Sequence, residues 1–435
     1  MRPALFLVLV VVFGVMLQVT PVFAASIVVD SAADGAPAVD GDCTLREAIE
    51  NANDDAATNA DCAAGSGADI ITFSVGGPIT LTSGDQLVIL DADPDTLTIT
   101  GPMTIIGSGS RVFLVGNDTT NDAVARTLIL NGVIVQSGDG TGLSGGSASE
   151  NGGCVLVRPN STLDMNGATV EDCYSTANGG GIYADEDSTV TVNSASIIDG
   201  NTAEGNGGGI SMSTGTIVVD GDSCIQNNTA YGVGGGIEAG DTVTITFGGG
   251  SVSNRAFLVN NTASNGGGIY MAVNSTFDGS HGRFFVNSAT LGSAWFSQGG
   301  SGANGESAIG RRCVNCCIVG NTGNQAVRQT VDGLDANFVN NWWGSNFGPY
   351  ISSAGAGTGN GTSSGDGISG NGISAVDVGI TSIPADYGTE STGSDSNWLT
   401  TTGGDVPSDC INDYCTPVSA VNHGTGRSCF YVKLS

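Results

Sequence analysis

The stretch "TASNGGGIY", residues 262–270, decides the fold. A run of glycines cradles a phosphate, loosens a linker, or lets strands turn and stack. A phosphate loop needs a Lys-Ser or Lys-Thr after the glycines, and none follows here; Lys433 is the only lysine in the chain. The same cluster also recurs. "NGGC" begins at 151, "NGGG" at 178 and 206, "VGGG" at 233 and "NGGG" at 265, in steps of 27, 28, 27 and 32 residues. A fixed period is the mark of stacked units and excludes a linker.

Each unit carries two further elements. "YSTA" at 174, "GNTA" at 200, "NNTA" at 227 and 260, and "VNSA" at 286 form a polar turn. Alternating segments such as "STVTVNSASII" at 188 and "GTIVVDGDSCI" at 215 read as strands with one face buried, because side chains on a strand alternate with period two. One unit is therefore strand, turn, strand, polar turn, glycine strand. Short strands at this period suit a solenoid whose coils hydrogen-bond in parallel about 4.8 Å apart, an all-β parallel β-helix. Glycine meets the positive φ or close approach needed at a coil corner. The Asn before each cluster is expected to stack amide on amide, and Ile182, Ile210, Ile237 and Ile269 to form an inward stack.

Composition narrows the function classes. With 12 Lys+Arg against 42 Asp+Glu the chain carries −30, which repels nucleic acid and anionic lipid. Arg2, the apolar run from Ala4 to Met16 and Val22-Phe23-Ala24 read as a signal peptide cleaved after Ala24, and no later segment is long and apolar enough to span a membrane. Export makes disulfides the default for the 11 cysteines. Cys43 with Cys62, and Cys410 with Cys415, are the expected N- and C-terminal pairs; "CVNCC" at 313–317 lacks the second half of a zinc site.

"CTLREAIENAN" at 43–53 predicts one helix, with Thr44 and Glu47 at capping-box spacing, and Arg46 and Glu50 set i,i+4. Such a helix would cap the open end of the solenoid. The expected organisation is a signal peptide at 1–24, an N-terminal cap at 25–68, the β-helix at 69–350, a loose Gly/Ser-rich segment at 351–405 with one extra strand in "ISAVDVGITSI", and an irregular tail at 406–435. The last eighteen residues change composition abruptly and read as a truncated or altered end.

"CTLREAI" resembles the Cys-Ser-Leu-Arg-Glu-Ala motif of secreted β-helix proteins, with Thr44 in place of Ser. "GGGI" with "FLVN" (257–260), "FFVN" (284–287) and "NFVNN" (337–341) is similar to the repeats of polymorphic outer-membrane proteins, although Gly replaces their Ala and their C-terminal barrel is missing. "NNWWGSNFGP" at 340–349 looks like a motif that closes such solenoids. The resemblance implies a right-handed, single-stranded β-helix of pectate-lyase-like shape, secreted or displayed at the cell surface or outer membrane. It implies adhesion or structural roles for many relatives, and cleavage of acidic polysaccharide for the enzymes of this shape.

An enzyme of this shape needs a basic residue with calcium, or two facing carboxylates. Arg255 and Arg283 are the candidate catalytic bases, set against an ordinary role as surface arginines paired with carboxylates. His281 and His423 are too few and too poorly placed for a Ser-His-Asp triad. Asp91, Asp93 and Asp95 in "DADPD" alternate like calcium ligands, in a stabilising role, but no EF-hand pattern follows; no other cofactor is expected. Trp342 and Trp343 either stack on a sugar or lid the last coil. The sequence thus points to a non-catalytic surface protein that binds extracellular polysaccharide or other surface proteins, with a polysaccharide lyase or glycosidase as the competing reading.

Overall fold

The period of the sequence becomes a coil of four short strands, for example Ser188–Asn193, Ile197–Asp199, Thr202–Ala203 and Ile210–Met212. The computed structural model describes residues 24–90, 96–117, 124–141, 150–249, 254–298 and short segments between 311 and 370. Within it each strand pairs in parallel with its counterpart one coil on: Val190 with Ile217, Ile198 with Ile225, Thr202 with Thr229, Ile210 with Ile237. Three sheets result. A long sheet holds the first and second strands of each coil, a short sheet the "NTA" strands, and a glycine sheet the strands that follow each glycine cluster. The fold is an all-β parallel β-helix.

Alternation places the core. Ile182, Ile210, Ile237 and Ile269 are fully buried and stacked in register, and the stack extends through Leu87, Phe113 and Val155 on one side and Trp295 and Val327 on the other. Burying each such side chain contributes about 1.5–3 kcal/mol. In the opening stretch Gly266 has φ +64°, and a Cβ on Gly267 would stand 2.6 Å from the carbonyl oxygens of Ser288 and Ser293. Only glycine allows the corner to turn and the coils to close up there.

The asparagine ladder exists one element earlier than the sequence suggested. Asn201, Asn228, Asn261, Asn287 and Asn321 stack with each Nδ2 donating to the next Oδ1 at 2.9–3.0 Å. Each Oδ1 also accepts the backbone N–H of the preceding ladder residue at 3.0 Å. The residues before the glycines behave differently: Asn151, Asn178 and Asn206 accept from the backbone N–H of residues 178, 206 and 233. The reason is burial. Asn201, Asn228, Asn261 and Asn287 are 0% exposed, so each must satisfy its amide internally.

Helix α1, Leu45–Asn53, has the expected capping box, with Thr44 Oγ1 accepting from the Glu47 N–H and the Glu47 carboxylate accepting from the Thr44 N–H. Leu45, Ala48, Ile49 and Ala52 enter the core. Asn53 then pairs with the first glycine-sheet strand, Leu87–Ile89, donating to Val88 O and accepting from Leu90 N–H, both at 2.8 Å. A helix side chain thus satisfies backbone groups beside an open sheet edge. Arg46 pairs with Asp34 at 2.8 Å, rather than with Glu50, which accepts from Asn59.

The segment around α1 also supplies a strand, since Ser26–Val29 pairs in parallel with Ile70–Phe73. Far along the chain Gly367–Gly370 pairs with Val327–Gln329, inside a stretch expected to be loose. Disulfides join Cys43 to Cys62, Cys154 to Cys173 and Cys313 to Cys316. The 1–23 leader, Asp91, Asp93, Asp95, Trp342, Trp343, Cys410, Cys415, His423 and the strand expected in 373–383 lie outside the described residues. Among the described residues no helix is long and apolar enough to cross a membrane.

Candidate functional site

Each glycine-sheet strand points its central residue outward, opposite the isoleucine stack. Register sets these residues in one row: Leu156, Tyr183, Ser211, Glu238, Tyr270, Phe296. Neighbours in the row stand about 4.8 Å apart. Tyr270 and Phe296 stack face to face, with ring centroids 5.3 Å apart and planes within 5°. The normal of the Tyr270 ring therefore runs along the solenoid, so its other face looks toward Glu238. Tyr183 stands three rungs from Tyr270, about 14 Å away. The part of the row between the two tyrosines, which we call the notch, holds Ser211, which is buried, and Glu238.

Residues just past each strand make the rim. The Tyr183 hydroxyl hydrogen-bonds Ser213 Oγ at 2.7 Å, and the Tyr270 hydroxyl donates to Gln298 Oε1, so each ring is fixed by the coil that follows it. Between the tyrosines, Ser211 Oγ donates to Glu238 Oε2 at 2.7 Å. Burial pushes the Glu238 carboxyl up to about 7, with Asp241 adding to the rise and the Ser211 hydrogen bond opposing it. Burial also raises Tyr270, helped by Glu238 and Asp241, and raises Tyr183. Beside Tyr183, Arg158 pairs with Asp185 at 2.9 Å. The notch combines aromatic rings, hydroxyls and a carboxyl whose pKa is raised to about 7.

The arginines named from sequence lie elsewhere, on the long sheet. Arg255 pairs with Asp222 at 3.1 Å and lies over the Phe257 ring, with its guanidinium carbon 5.4 Å from the ring centroid. Arg283 is fully buried and donates to the carbonyls of His281 and Gly282, so a surface position for it is overturned. His281 occupies a left-handed corner between two strands and contacts Ser280 Oγ through Nδ1. Among the described residues no group of three or more His, Cys, Asp or Glu is placed to hold a metal.

Sequence reasoning passed over the notch. Its signal was the residue after each Gly-Gly-Gly-Ile: Tyr183, Ser211, Glu238 and Tyr270. No protein-family model, curated protein or solved structure matches the chain.

Proposed function

We propose that the protein is an extracellular, non-catalytic β-helix that binds a neutral polysaccharide at the Tyr183–Phe296 row. The observation that carries this reading is the Tyr270 ring, stacked on Phe296 and set in one outward row with a carboxyl and hydroxyls. Sugar rings present C–H faces to aromatic rings and hydroxyls to carboxyls and serines. A notch of about 14 Å has the scale of a short oligosaccharide stretch. Asp185, Glu238 and Asp241 surround it, on a chain of net charge −30, and this disfavours the acidic polysaccharides cut by enzymes of similar shape. Three disulfides among the described residues fit an oxidising compartment outside the cytoplasm.

One observation favours a second reading. A carboxyl held up to about 7 beside another carboxylate, Asp241, is the pairing a glycosidase uses for its acid. Titration calorimetry with neutral oligosaccharides and polygalacturonate, together with a reducing-end assay, separates the two. Binding of a neutral glycan without new reducing ends supports the binding protein. New reducing ends that disappear in Glu238→Gln would replace it with the glycosidase, and no binding of any neutral glycan would end the binding reading.

A further inference from the structure

Four Asn-x-Thr triplets lie among the described residues, at 160–162, 227–229, 260–262 and 274–276; two more, at 117–119 and 360–362, reach outside them. An Asn two places before Thr is an acceptor for N-linked glycans when the chain enters a secretory compartment and the Asn stays at the surface. Three disulfides among the described residues fit the first condition. The fold meets the second. Asn160, Asn227, Asn260 and Asn274 are all exposed, at left-handed coil corners with φ of +61°, +55°, +54° and +65°. Asn tolerates that conformation, and bulk added to an exposed corner displaces no core side chain.

Hydrogen bonding separates the four into two pairs. Asn227 donates through Nδ2 to Asp199 Oδ1 and accepts from Asn260 Nδ2, both at 2.8 Å, so these amides are tied into a surface ladder. They also stand on adjacent coils, about 4.8 Å apart, where two sugars would crowd each other. Asn160 and Asn274 make no side-chain hydrogen bond among the described residues. They occupy equivalent corners, where the chain leaves the glycine sheet for the long sheet. Each is followed by a buried serine, Ser161 or Ser275, and then by the threonine that opens a long-sheet strand, Thr162 or Thr276. Asp187, Thr214 and Thr242 hold this corner on the coils between, so the two asparagines stand four rungs apart, about 19 Å. We infer that Asn160 and Asn274 carry N-linked glycans.

The donor is an oligosaccharide held on a lipid pyrophosphate, and the asparagine Nδ2 attacks its anomeric carbon. A carbon–nitrogen bond forms and the bond from that carbon to the phosphate oxygen breaks. The lipid pyrophosphate leaves with the electron pair, and the amide proton passes to a base of the transferase. The threonine hydroxyl two places on marks the acceptor. Timing follows from the ladder. The Thr162 N–H donates to Arg126 O at 2.7 Å and the Asn160 N–H to Glu186 O at 3.0 Å, so the folded triplet is not free to enter a transferase cleft. Transfer to Asn160 therefore precedes closure of its coil.

The test is made on the full chain purified from the cells that naturally produce it. Protease digestion and electron-transfer mass spectrometry locate sugar mass on each asparagine. The expected result is sugar on Asn160 and Asn274, and on no more than one of Asn227 and Asn260 in any chain. Thr162→Ala should strip the sugar from Asn160, whereas Thr162→Ser should keep it, because the transferase reads the hydroxyl. A bare asparagine at 160 or 274 in the natural protein would overturn the inference. So would sugar retained on Asn160 in Thr162→Ala, or sugars on Asn227 and Asn260 together.

Discussion

Asn228→Ala removes the centre of the buried ladder, and its cost follows from the bonds lost. The Asn201 N–H donates only to Asn228 Oδ1 among the bonds of the ladder, at 3.0 Å, and is left unsatisfied in a site with no exposure. An orphaned buried donor costs about 1–3 kcal/mol. The Asn201 Nδ2 bond at 2.9 Å and the Asn228 bonds to Ile198 O and Asn261 Oδ1, both 3.0 Å, disappear as well. Asn201 Nδ2 keeps Val170 O, and Asn261 Oδ1 keeps the backbone N–H of residue 228, so these losses are partial. The expected total is about 3–4 kcal/mol. Urea unfolding followed by circular dichroism measures it, with Thr191→Ala, on the outer face of the long sheet, as the control expected to cost under about 1 kcal/mol. A loss for Asn228→Ala no larger than the control would refute the ladder as a source of coil register.

Two other perturbations test separate links. Gly267→Ala forces a Cβ to within 2.6 Å of the Ser288 and Ser293 carbonyl oxygens, so coils must separate; a drop of about 2 kcal/mol or more in urea stability is expected, and an unchanged midpoint would contradict the close approach. For Glu238 the folded carboxyl titrates near 7 against the usual 4.5, so between these values the folded state holds more protons than the unfolded one. Stability therefore falls as pH rises through that window, by about 2 kcal/mol after allowance for the carboxyl's partial exposure. Glu238→Gln should abolish that fall, and parallel stability curves for variant and wild type between pH 4 and pH 8 would sink the assignment.

Period and alternation made the coil legible, because Gly-Gly-Gly-Ile repeats demand both a corner and an inward side chain. The Ile182–Ile269 stack and the Thr44–Glu47 capping box follow from such local rules. The ladder was misplaced because asparagines stand both before the glycines and in the "NTA" turns, and only burial separates the two sets. The notch was hidden for a different reason. Tyr183, Ser211, Glu238 and Tyr270 differ in type, so no repeat flags them, and they meet only through registers that span many residues. Arg283 was illegible because strand alternation predicts an exposed outer face, whereas every residue of Gly282–Phe285 is buried.

Titration of a neutral oligosaccharide into wild type and Tyr270→Ala tests the functional account most directly. Loss of the stacking face should weaken binding about tenfold, equivalent to about 1.4 kcal/mol, while Thr191→Ala leaves it unchanged. Equal affinity for wild type and Tyr270→Ala would place recognition somewhere other than the outer row of the glycine sheet.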